Sequence, residues 1–138
     1  MSANRNSAML YLLAFACFSA NAVAQTEAPA YRPPASEALQ TPRFCWKEFM
    51  GEKFRGPEYS IPRETCGSWA NHYCSGLIQL NRANRTIGNE GRKRVELLSA
   101  RENTLYTLRG IRGYPHCPIR AHVENTLRII DAELKTLR

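Results

Sequence analysis

Four cysteines, Cys45, Cys66, Cys74 and Cys117, constrain this 138-residue chain more tightly than any other feature. A fifth, Cys17, falls inside an apolar run from Ala8 to Ala20 that follows Arg5 and precedes Ala22-Val23-Ala24. A charged start, an apolar core of roughly 7–15 residues and a small-x-small site read as a secretory signal peptide over residues 1–24. The run is shorter than the roughly 20 apolar residues that a membrane span needs. The rival reading lipidates Cys17, but it puts Phe15 where a small residue belongs and leaves Ala22-Val23-Ala24 without a role. The expected product starts at Gln25 and resides in an oxidising compartment, a periplasm or the exterior. Four cysteines in an exported chain of this size indicate two disulfides, with three connectivities open. The gaps between them lack the C-x2-4-C pairs of structural zinc sites, and no C-x-x-C offers a redox pair or a haem attachment.

Removal of residues 1–24 takes away Arg5, leaving 18 Lys and Arg against 12 Asp and Glu, a balance of +6. One domain is expected at this length. Residues 25–42 hold four prolines and almost no bulky apolar side chain, and so read as a flexible tether. The helical domain is expected over residues 43–138. It opens with a short aromatic segment at Arg43–Phe54, which Gly56-Pro57 ends.

Three long helical patterns follow. The first runs from Pro62 to Ile87, with Trp69, Tyr73, Leu77 and Leu80 on one face. The second runs from Glu90 to Arg112, with Val95, Leu98, Leu105, Leu108 and Ile111 as its stripe. The third starts near Pro118, which suits a first helical position. It carries Ile119, Val123, Leu127, Ile130, Leu134 and Leu137 at steps of three and four. No strand-like alternation competes, so the expected fold is all-α: a small disulfide-stapled bundle of three long helices plus a short N-terminal helix. Short connections make consecutive helices antiparallel, which brings Cys66 and Cys117 to one end. That favours Cys66–Cys117, leaving Cys45–Cys74. Cys66 with Cys74 is disfavoured, because eight helical residues span about 12 Å, beyond the roughly 7 Å Cα limit. Gly67 is the weak point, since it can release Cys66 from the helix.

Catalytic signals are weak. His72, His116 and His122 form no H-E-x-x-H and no i, i+4 pair, no G-x-S-x-G occurs, and oxidised cysteines are not nucleophiles. No enzyme activity, resident cofactor or metal is expected. Arg82, Arg85, Arg92, Lys93 and Arg94 surround the turn between the first two long helices, with Glu90 as the single acid among them. Folding is expected to gather all five at one end as an anion- or partner-binding site, since guanidinium groups grip phosphate and carboxylate. The competing reading is a solvated helix end whose charges complement the helix terminus. Stacking aromatics are absent from the cluster, which argues against nucleic acid as a partner. Trp69 and Tyr73, four residues apart, read as core.

The stretch Asn71-His72-Tyr73-Cys74-Ser75-Gly76-Leu77, with Leu80, Arg82-Ala83 and Arg85, resembles a segment of uncharacterised proteobacterial exported proteins with tetratricopeptide-like helical hairpins. The resemblance covers about residues 66–130. It implies helical hairpins that bind other proteins and identifies no functional residues. The small residues of such repeats are mostly missing, and no 34-residue self-similarity is visible.

The leading functional expectation is therefore a non-catalytic periplasmic protein-interaction module, an adaptor or an inhibitor of the immunity type. Its partner is expected to be another periplasmic or secreted protein. One alternative binds anionic envelope components through the basic end. Another is a metal or haem carrier using His116 and Cys117, which intact disulfides would oppose.

Overall fold

The computed structural model of the protein describes residues 32–137. The expected signal peptide, Cys17 and the first part of the tether, residues 25–31, lie outside the described residues. The described chain is all-α, without a strand. Three short helices, α1 (Ala35–Ala38), α2 (Trp46–Met50) and α3 (Arg63–Cys66), precede three long ones. The long helices are α4 (His72–Arg85), α5 (Glu90–Gly110) and α6 (Arg120–Thr136).

Two disulfides hold this arrangement, Cys45–Cys74 and Cys66–Cys117, with Cα separations of 5.5 and 4.7 Å. This is the pairing that antiparallel helix order favours. Each bridge lies inside an apolar cluster. Cys66 and Cys117 pack with Ala70, Tyr73, Ile111, Ile119 and Val123. Cys45 and Cys74 pack with Ala38, Phe49 and Ile78. A third cluster, Leu80, Ala83, Leu97, Ala100 and Ile130, closes the other end of the bundle. Between α4 and α6, the Tyr73 hydroxyl and Thr126 Oγ1 lie 2.7 Å apart in a buried hydrogen bond. Burial pushes the Tyr73 phenol above its ordinary pKa of 10.0, only partly offset by that bond.

Three features depart from the sequence reading. The first long pattern is divided at Gly67, whose φ of +74° ends α3 before a 3-10 turn leads into α4. A side chain there would favour neither that left-handed φ nor the space, because a Cβ would come within 2.7 Å of the Tyr114 ring. Cys66 therefore sits at the end of its own short helix and still reaches Cys117.

The second departure is the facing of α5. Its buried positions are Leu97, Ala100, Thr104 and Thr107, continued by Ile111. Val95 and Leu98, expected in the core, are 62% and 45% exposed, and Leu105 and Leu108 are only half-buried. The reason is close helix packing. A Cβ on Gly76 of α4 would meet the Ala100 carbonyl oxygen and Thr104 Oγ1 at 3.2 Å, so the seam holds small side chains. Thr104 satisfies its hydroxyl by donating to the Ala100 carbonyl at 2.7 Å.

The third is the tether. Residues 33–42 pack against the bundle: Pro33, Ala38 and Thr41 are buried. Thr41 donates to the Ala38 carbonyl at 2.6 Å, and its own carbonyl accepts from Trp46 Nε1 at 3.0 Å. Glu37 adds the decisive polar contact, an ion pair with α4 described below. On α6, Val123 and Ile130 are core as expected, whereas Leu127, Leu134 and Leu137 are half-buried.

Candidate interaction face and basic end

Because α4 and α6 both cover one side of α5, the other side is left to solvent. Residues 95, 98, 102, 106 and 109 recur every three or four positions and lie on that outer face. Val95, Leu98 and Tyr106 supply its apolar surface, Glu102 and Arg109 its charge; all five are exposed. Trp69 extends the face from the turn before α4. Its indole is 50% exposed and meets Tyr106 edge-on at 5.6 Å. The seat is tight: a Cβ on Gly110 would fall 2.6 Å from Trp69 Cβ, so only a residue without one admits the indole there. His72 completes the patch, its ring 4.4 Å from that of Tyr106 and its Nδ1 3.4 Å from Asn103 Oδ1. Asn103 in turn donates to Gln79 Oε1 at 2.9 Å and to the Ser99 carbonyl at 3.1 Å. The aromatic patch thus rests on a polar network that fixes His72 and the middle of α5.

Of the aromatic pair read as core, Tyr73 is buried and Trp69 is not. Periodicity could not separate them, because Gly67 and the 3-10 turn rotate Trp69 off the face of α4.

The basic residues divide rather than converge. Arg82 and Arg85 turn toward α1, where both clasp Glu37. Arg82 donates to Glu37 Oε2 through Nη2 at 2.7 Å and Nε at 3.0 Å. Arg85 reaches Glu37 Oε1 at 3.1 Å and Gln40 Oε1 at 3.1 Å. The Arg82 hydrogen bonds, opposed by partial burial and aided by both guanidinium charges, hold the Glu37 carboxyl below its ordinary value of 4.5. Lys93 and Arg94 turn instead toward α6: Lys93 pairs with Glu133 at 3.0 Å, and Arg94 donates to the Leu137 carbonyl at 3.4 Å. Arg92 alone joins Arg82, Arg85 and Glu37 around one shallow open hollow of about 620 Å³. Four of the five cations therefore make contacts that tie helices together, which charge counting along the sequence does not reveal.

A second hollow of about 540 Å³ lies between the N-terminal segment and the start of α4, lined in part by Lys47, Glu48, Arg63, Glu64 and Asn71. Asn71 donates to Glu48 Oε1 at 3.4 Å, and its own Oδ1 is buried without a partner. No histidine lines this hollow, and its cysteine, Cys74, is bridged. His116 and His122 are exposed. Among the described residues no three His, Cys, Asp or Glu side chains converge as a metal site. The Cys66 bridge removes Cys117 as a thiolate ligand, so the metal or haem carrier reading loses its sulfur. No helix among the described residues is long and apolar enough to cross a membrane.

Comparison with family models, with curated proteins and with solved structures returns no significant match.

Proposed function

We propose that this chain is an exported, non-catalytic protein-interaction module of the adaptor or inhibitor type, acting in the periplasm after removal of residues 1–24, and that the outer face of α5 with Trp69 receives its partner. One observation carries the reading: Val95, Leu98 and Tyr106 are exposed at helical spacing on the side of α5 opposite its buried positions, and Trp69, itself exposed, packs beside Tyr106. Exposed apolar side chains gathered on one face mark interaction sites, and Trp, Tyr and Arg anchors dominate binding energy in interfaces. Two disulfides suit an oxidising compartment and give the face a rigid base, which lowers the ordering cost of binding. The helical-hairpin resemblance points the same way.

The test is retention of a periplasmic partner by the mature protein and by three variants whose fold is checked by circular dichroism and thermal unfolding. Leu98→Glu and Tyr106→Ser are expected to lose the partner, while Arg92→Ser retains it. Loss in Arg92→Ser alone would transfer the site to the basic end. Equal retention by all four proteins would remove the α5 reading.

A further inference from the structure

We propose that the partner on the outer face of α5 is a second copy of this chain, docked antiparallel so that Glu102 of each copy meets Arg109 of the other. This rests on the reading of that face as the docking surface and names its occupant. Glu102 and Arg109 are seven residues apart, two helical turns or about 10.5 Å along the axis. Both lie on the outer face, and neither has an ion-pair partner within the described chain, whereas Arg101 and Lys93 of the same helix pair with Asp131 and Glu133. A two-fold contact presents the same patch twice and has to be complementary to itself. Two opposite charges on one helix face meet that requirement in the antiparallel orientation alone: one register makes both ion pairs at once.

The same register fixes the rest of the contact. Its centre falls between Leu105 and Tyr106, so Tyr106 lies next to its counterpart, with Trp69 flanking it. Leu98 falls past the end of the second copy's α5, by the 3-10 turn Ile111–Gly113, where a Cβ on Gly113 would meet nothing within 4 Å. Tyr106 and Trp69 then lie at the centre and a Leu98 at each end, with the charges between them. An unrelated partner would need its own matching pair of charges, whereas a second copy already carries it.

Sedimentation velocity and equilibrium of the mature protein, at concentrations up to about 100 µM, test this. A dimer is expected. Glu102→Arg and Arg109→Glu, each confirmed as folded, should weaken it at least tenfold, because each places like charges together twice. An equimolar mixture of the two single variants should restore the dimer, as should the double variant Glu102→Arg/Arg109→Glu. A monomer throughout, or a dimer indifferent to the single reversals, would overturn the proposal. A monomer whose partner retention is lost in Leu98→Glu overturns the second copy and leaves the α5 docking face standing. A monomer whose retention ignores Leu98→Glu overturns both.

Discussion

Removing the Cys66–Cys117 bridge should cost this domain more than removing Cys45–Cys74, and about as much as a large core truncation. The bridge closes a loop of 51 residues, and Cys45–Cys74 one of 29. Loop-closure entropy lost from the denatured chain then gives about 4 kcal/mol for the longer loop and about 3.6 kcal/mol for the shorter. Both cysteines of the longer bridge are buried among Tyr73, Ile111 and Val123, so truncation also removes packing there. Against a total of about 5–15 kcal/mol for a domain of this size, one bridge is a large share. The two loops overlap over residues 66–74, so the paired losses should fall short of their sum. Urea unfolding at neutral pH of the oxidised protein, Cys66→Ala/Cys117→Ala and Cys45→Ala/Cys74→Ala measures each cost. The longer loop should prove the costlier, and the slope should rise as the denatured chain expands. A loss under about 1 kcal/mol for Cys66→Ala/Cys117→Ala would refute the claim that this bridge constrains the denatured chain.

The facing of α5 makes adjacent leucines unequal: Leu97→Ala should cost about 2–5 kcal/mol and Leu98→Ala under about 0.5 kcal/mol by the same unfolding assay. Thr107 is buried with no partner for its hydroxyl, so Thr107→Val, which keeps the shape, should stabilise by about 1 kcal/mol in thermal unfolding. Glu37 ionises more readily folded than unfolded, so its contribution is present above pH 4.5 and is lost as pH falls through its lowered folded value. Glu37→Gln should therefore lower stability at neutral pH and flatten the acid side of the stability profile, measured by unfolding between about pH 7 and 3.

Much of the fold was legible because two kinds of signal agreed. Val123 and Ile130 repeat at helical spacing in α6, and antiparallel order placed Cys66 beside Cys117 without any knowledge of packing. The facing of α5 was not legible from hydrophobicity. Val95, Leu98, Leu105 and Leu108 form the more apolar stripe, but burial goes to the side that Gly76 approaches closely. There Ala100 and Thr104 fit where leucines would hold the helices apart. The usable signal was small residues at steps of three and four facing a glycine on the preceding helix. The order in residues 33–42 escaped composition for a related reason, since it depends on one carboxylate, Glu37, and two small buried residues, Ala38 and Pro33. The exposed outer face of α5 is visible only once the helix is turned the right way. Periodicity puts Val95 and Leu98 in the core and Trp69 on one face with Tyr73, whereas Gly67 and the 3-10 turn after it rotate Trp69 off that face.

Site-specific photo-crosslinking in the producing cell tests the central claim, that the outer face of α5 is where this protein meets its partner. A photoreactive residue at position 95, 98 or 106 should give one discrete adduct, whether to a second copy or to another protein. The same probe at Glu124 or Ala132, exposed positions on α6, should give none. Adducts formed equally from both helices, or none from α5, would contradict the account.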